Sequence, residues 1–261
     1  MLSPPHAGIV QPAIWANGKV PNVLMATGLG KGALRYSSWW FCQTISNSPW
    51  RAVKANSDLS DEQAGQIEPA AICFHAVRAN PPRLGEVAVI QGAGPIGLST
   101  LQWVRVAGAG TIVVVEPNDA RRNLSLALGA HHAVSPSEAN EFISNLTKGL
   151  GADIVYECAG IPATIQSAVD LARRGGRAAI IGLAMGDAPI SPRQWLTKEI
   201  QVTAALGYTH EEFEMTMGYV ADGRIDLDVL HSGTVNLVDI SEIFTELSSG
   251  VTEHTKVLVR P

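Results

Sequence analysis

The chain has 261 residues, with 19 Lys and Arg against 24 Asp and Glu and a formal net charge of −5. Three scattered cysteines, Cys42, Cys73 and Cys158, exclude a disulfide scaffold or a cysteine-rich zinc module, and the lack of any basic block excludes a nucleic-acid backbone binder. A hydrophobic content of 46% with 16% charged residues excludes disorder, and the longest apolar stretch, Ala178 to Met185, is too short to span a membrane.

The opening residues, MLSPPHAGIV, lack a basic segment leading into an apolar one, so no signal peptide is expected and a reducing, cytoplasmic setting fits. The first forty residues mix Pro, Gly and Trp with no period of 2 or 3.6, which predicts loops or short strands without a core of their own. Ser60 with DEQ behind it predicts a helix start, and Glu68-Pro69 opens an apolar helix, AAICFHAV. A regular alternation follows. Strands are expected at 86–91, 111–116, 153–158, 177–183 and 199–206, and helices at about 95–106, 120–128 and 164–172. His131 and His132 fall in a loop of this reading. The β-branched runs are continuous, which marks strands covered on both faces and therefore a parallel sheet. Strand–helix alternation makes it a doubly wound α/β sheet. Helices at 210–224, with Gly223 at the C-terminal end, and 239–250 lead to a last strand at 256–261.

Gly92, Gly94 and Gly97 form GAGPIG. Alone such spacing is weak, but here a strand precedes it, a helix opens inside it, and a second strand ends in Glu116, nineteen residues after Gly97. Gly92 would permit the tight turn, Gly94 the close approach of backbone to a pyrophosphate, and Gly97 close helix–strand packing. Pro95 sits in the first helical turn, where its missing N–H costs nothing, and Ile96 follows it. The helix start offers free N–H groups and a positive dipole end to phosphates. Glu116 would accept hydrogen bonds from ribose hydroxyls and repel a 2′-phosphate, which favours NAD(H) over its phosphorylated form. A packed turn with no ligand is the competing reading. Arg121 and Arg122 are either phosphate readers or plain helix-surface residues.

Over about residues 41–261 the text resembles the medium-chain dehydrogenase/reductase superfamily, in its zinc-type alcohol and polyol branch (sorbitol, butanediol and threonine dehydrogenases). The matching segments are DLSDEQAGQIEPAAICFHAVR, GEVAVIQGAGPIGLSTLQWVRVAGA, VVVEPNDARRNLSLALGA, GADIVYECAGIPATIQSAV, RRGGRAAIIGLAMG and HTKVLVRP. The resemblance implies a Rossmann domain at 71–207. It also implies a remnant of a GroES-like catalytic domain at 1–70, with residues 208–261 packing back on it. Glu116 then matches the ribose-binding acid and Arg121 a basic residue against the adenosine ribose. Cys158, Ala159 and Gly160 match a loop under the cofactor, Gly182 and Leu183 the backbone near the nicotinamide, and Lys256 a residue reaching the pyrophosphate. Cys158 equally suits a small buried hydrophobe, and Lys256 an ordinary solvated residue.

The front departs from that family. No GxxGxDxH or GHE segment is present to supply catalytic zinc ligands, and VPNVLMATGLGKG and SSWWFCQT stand where related text would fall. Such a front reads as deleted or rebuilt, or as following a mis-set start. Catalytic zinc takes three protein ligands and an open position. Glu68 alone occupies a matching position, as a vestigial ligand, and His75 is two helical turns, about 10 Å, further on. No metal is therefore expected. A metal-free hydride enzyme still needs a proton donor. Tyr208 and His210, just past the 199–206 strand, are candidates, although both equally suit a surface loop.

Two functions compete. One is an NAD(H)-dependent oxidoreductase acting on a small secondary alcohol or polyol, or the matching ketone. The other is a non-redox descendant of the fold, a rebuilt-pocket isomerase or cyclase or a binding module, with Trp15, Trp39, Trp40 and Trp50 lining an apolar pocket. A homodimer through the edge strand near 199–206 is expected, because a bare apolar edge is an aggregation hazard.

Overall fold

The computed structural model describes residues 13–15, 52–248, 252 and 254–260. The chain divides into two compact units, one of Ile72–Leu206, the other of the described residues up to Ala71 together with those from Gly207 onward. The segments 20–32 and 37–44, and Cys42, Trp39, Trp40 and Trp50, lie outside the described residues.

The chain enters through two short parallel strands, β1 (Ala13–Trp15) and β2 (Ala52–Lys54). Helix α1 (Asp61–Ala64) starts where the sequence predicts, because Ser60 and Gln63 form a reciprocal capping box. Helix α2 (Ile67–Ala79) follows.

The unit Ile72–Leu206 holds β3 (Val87–Gln91), α3 (Pro95–Val106), β4 (Thr111–Val115), α4 (Asp119–Ala127) and β5 (His132–Val134). It continues with α5 (Ala139–Leu146), β6 (Ala152–Glu157), α6 (Pro162–Leu171), β7 (Ala172–Ile180), α7 (Pro192–Lys198) and β8 (Gln201–Ala204). All six strands are parallel, in the order β5-β4-β3-β6-β7-β8. Strand order reverses between β3 and β6, and that switch point is where open α/β sheets bind ligands, beyond the carboxyl ends of the strands. Val89, Val113, Val155 and Ala178 pack with Ile143, Ala168 and Leu171 on one face. The alternating Ala88, Ile90, Ile112 and Ile154 are as deeply buried on the other, as the unbroken β-branched runs require.

The remaining residues form α8 (His210–Ala221), β9 (His231–Asn236), α9 (Ile240–Ser248) and β10 (Lys256–Arg260), with β9 and β10 paired in parallel. Gly223 takes φ +74° just beyond α8.

Several expectations need correction. The loop expected at His131–His132 is the entry to β5. His131 Nδ1 accepts from the Ile112 N–H at 3.0 Å, and the His132 ring packs against Phe142. The strand expected over 199–206 is only Gln201–Ala204. Residues 192–198 before it are helical, and Glu199 closes that helix in the left-handed conformation, φ 50°. The strand expected at 153–158 ends at Glu157, which leaves Cys158 in the turn.

Candidate functional site

The glycine-rich segment is built as a turn from β3 into α3. Gly92 takes φ +91° and donates its N–H to Val115 O at 2.8 Å. A Cβ there would press on the Ala159 backbone at 3.1 Å, and a Cβ on Gly97 would stand 1.9 Å from Gly92 O. Both glycines are thus demanded by the protein's own packing. Gly94 is different. A Cβ on it would meet nothing within 4 Å. Gly94 is also the N-cap of α3 and offers no side chain, Pro95 follows it, and the first intrahelical bond is Leu98 N–H to Gly94 O. Open space therefore lies in front of an uncapped helix start, whose first-turn N–H groups have no intrahelical acceptor. That is the geometry a phosphate needs.

Glu116 follows β4 and is 4% exposed. Its Oε2 accepts from Ala93 N–H at 2.7 Å and its Oε1 from Asn118 N–H at 3.0 Å. The carboxylate thus joins the glycine turn to the end of β4 and keeps a further lone pair on each oxygen. Arg121 is half-buried in the first turn of α4, its N–H capped by Asn118 Oδ1. Arg122 is committed to protein, donating to Glu116 O and Pro117 O and pairing with Asp119.

Cys158 donates its thiol to Thr100 Oγ1 at 3.6 Å, and burial pushes that thiol well up, with Cys73 adding to the effect. A thiol so held is a small buried hydrophobe, not a nucleophile. Ala159 and Gly160 are half-buried, and Gly160 takes φ +67°. A Cβ on Gly160 would stand 3.1 Å from Leu183 N, and one on Gly182 would stand 2.3 Å from Gly160 N. Leu183 itself is exposed. The loops after β6 and β7 are therefore in mutual contact at the carboxyl edge of the sheet. Beneath them lies Glu157, which the sequence does not single out, a fully buried carboxylate that accepts from Ala159 N–H and Gly160 N–H, both at 2.9 Å. The signal available was an acid closing an otherwise apolar strand, IVYE.

The unit formed by the two ends of the chain brings together Glu68, Tyr208 and Lys256. Burial raises the Glu68 carboxyl, partly opposed by the Lys256 charge, and burial lowers the Lys256 ammonium, opposed by Glu68. Tyr208 packs on the Phe213 ring, and burial together with Glu68 pushes its phenol far up. Its hydroxyl is buried without a hydrogen-bond partner among the described residues. His210 opens α8, half exposed, with Nε2 3.5 Å from Glu214 Oε1. Among the described residues no three or more His, Cys, Asp or Glu side chains converge. Glu68 beside an ammonium is not a zinc donor set, since a dication there would meet one carboxylate and one positive charge.

Residues 95–222 match the zinc-binding dehydrogenase family. The chain is 32% identical over 225 residues to 2-dehydro-3-deoxy-L-galactonate 5-dehydrogenase of Pseudoalteromonas atlantica, covering 85% of this chain and 63% of that protein. It is 31% identical to sorbitol dehydrogenase of Bacillus subtilis, covering 78% of this chain and 58% of that one. The crystal structure of 2R,3R-butanediol dehydrogenase from Bacillus subtilis superposes with a TM-score of 0.71 at 30% identity, over 79% of this chain and 60% of that one. Residues 95–222 thus belong to the zinc-binding dehydrogenase family, and the chain's similarity is to the zinc-type alcohol dehydrogenase branch of the medium-chain dehydrogenase/reductase superfamily. The chain spans about three-fifths of the length of these relatives.

Proposed function

We propose that this protein is an NAD(H)-dependent oxidoreductase that interconverts a small secondary alcohol or polyol and the matching ketone. The observation that carries the reading is the open space at Gly94 before the uncapped start of α3, with the Glu116 carboxylate anchored beside it. The relatives' names, sorbitol, butanediol and ketodeoxygalactonate dehydrogenases, supply the substrate class.

In this reading the α3 start and Gly94 hold the pyrophosphate through backbone N–H groups. Glu116 accepts from the adenosine ribose hydroxyls and repels a 2′-phosphate. Arg121 would stand at the ribose side. The bound nicotinamide supplies the hydride acceptor or donor. Tyr208 carries the accompanying proton to or from the substrate oxygen with Glu68 behind it, and His210 is the second candidate. No step is assigned to zinc, because Glu68 is the one described residue at a ligand position. We further propose a cytoplasmic homodimer paired through β8. Two buried free thiols, Cys73 and Cys158, suit a reducing setting, and β8 is the outer strand of its sheet.

The test is titration with NADH and NADPH followed by nicotinamide fluorescence. NADH should bind more tightly than NADPH, and Glu116→Ala should weaken NADH by at least about tenfold, ~1.4 kcal/mol. Failure of both nucleotides to bind would overturn the reading.

A further inference from the structure

Glu157 closes β6 and is 0% exposed. Its neighbours in register are Gln91 on β3 and Ile180 on β7, so it sits in mid-sheet at the carboxyl edge. One carboxylate oxygen, Oε1, accepts three donors: Ala159 N–H, Gly160 N–H and, at 2.6 Å, the Thr164 hydroxyl. The other, Oε2, has no partner among the described residues. The backbone oxygen of the same residue accepts from Ile181 N–H at 2.8 Å and Gly182 N–H at 2.9 Å. A single residue therefore fixes both loops at this edge, the turn 158–160 through its side chain and residues 181–182 through its main chain.

Packing alone does not call for a carboxylate here. Burying a charge is costly unless every lone pair is used, and a neutral acceptor would hold the same turn without that cost. The Oε2 atom also constrains its surroundings. A Cβ on Gly182 would stand 2.7 Å from it, so the β7 loop can approach only as glycine. In a doubly wound sheet of this strand order, the first half takes one nucleoside of a dinucleotide and the second half the other, with the pyrophosphate between them. Glu116 and the glycine turn occupy the first half. Glu157 underlies the second.

We infer that Glu157 is a positioning residue for the nicotinamide end of the cofactor, acting through the backbone of 158–160 and Gly182. The inference rests on the proposed NAD(H) reading. Glu157 is 0% exposed, so it would act without touching cofactor or substrate. It sets where the loops that would contact the nicotinamide ring lie.

The test compares two ligands that share adenosine, pyrophosphate and the second ribose and differ only in the nicotinamide ring, NADH and ADP-ribose, on the full chain and on Glu157→Gln, by calorimetry. Gln retains an acceptor for the turn but removes the charge. NADH should weaken about tenfold while ADP-ribose stays within about twofold, a split of ~1.4 kcal/mol. Thr164→Val, which deletes one of the three donors at a partly exposed helix position, should give the same split at about threefold and serves if the Gln variant does not fold. Equal weakening of both ligands would make Glu157 a purely structural group and overturn the inference, as would no change in either. If the unaltered protein binds ADP-ribose but not NADH, the positioning role falls while a nucleotide site remains. If it binds neither, the NAD(H) reading falls and takes the inference with it.

Discussion

Gly94 and Gly97 carry the same letter for opposite reasons. Gly97 has no room, since its Cβ would lie 1.9 Å from a backbone oxygen that cannot swing away. Gly97→Ala should therefore cost about 1–3 kcal/mol, as overpacking does, read as a lower denaturant midpoint. Gly94 has room and an ordinary φ of −74°. Gly94→Ala should leave the midpoint within about 1 kcal/mol, since only the N-cap preference changes, yet weaken NADH at least about tenfold by filling the phosphate space. Tyr208 makes the reverse case. Its hydroxyl is buried with nothing to bond among the described residues, a cost of about 1–3 kcal/mol. Tyr208→Phe should raise the melting temperature and, if the phenol carries the proton, lower kcat. Unchanged kcat would return that role to His210. Glu68 adds a pH test. Its folded value lies above the ordinary carboxylate value of 4.5 because of burial. Its contribution to stability is thus fully present below that ordinary value and is lost as pH rises through the raised one. Glu68→Gln should abolish that decline in stability measured against pH.

Among the elements, α3 was fully legible in the sequence because Pro95 marks its start and a β-branched strand stands on each side. Helix α8 is capped by Thr209, which forms a reciprocal pair with Glu212. Thr209→Ala should cost about 1 kcal/mol, measured by thermal unfolding, whereas α3 has no side-chain cap to lose. What escaped the sequence escaped for physical reasons. Helix α5 follows Glu138, whose carboxylate turns back to the Ser135 N–H at 3.1 Å and does not cap the helix, so α5 carries no side-chain cap of its own to read. Helix α7 buries none of its residues, which leaves no apolar period to read. Strand β5 is three residues long, and β7 begins in the polar run Arg173–Gly176, where the pairing register with β6 slips. The candidate site divides in the same way. The glycines and Glu116 were legible because each answers a backbone or charge requirement of a known turn. Glu157 was not, because its burial under two loops depends on strands brought side by side from distant parts of the chain. The electrostatic grouping of Lys256 with Glu68 was equally hidden, since 188 positions of sequence separate them.

At the scale of the whole molecule, the proposed dimer rests on the outer edge of the six-stranded sheet. Ala205 donates inward to Ile180 O, so in a parallel ladder Gln201 and Thr203 also bond inward, while the main-chain groups of Val202 and Ala204 point away from β7. These outward groups are a template for another strand, and Ala204 is exposed. Leu196 and Leu206, at the ends of the same stretch, are exposed as well, so apolar surface flanks the open ladder on both sides. Pairing with the same strand of a second copy is isologous and closes after two subunits. The proposed dimer should then show a light-scattering mass of twice the 27.6 kDa chain. Ala204→Pro removes an outward N–H without touching the inward ladder. It should reduce the mass to that of one chain while NADH binding, proposed at the glycine turn, Glu116 and the loops after β6 and β7 and not along the outer side of β8, survives. A single-chain mass for the unaltered protein would reject the dimer, and a dimeric Ala204→Pro variant would place the contact elsewhere on the surface.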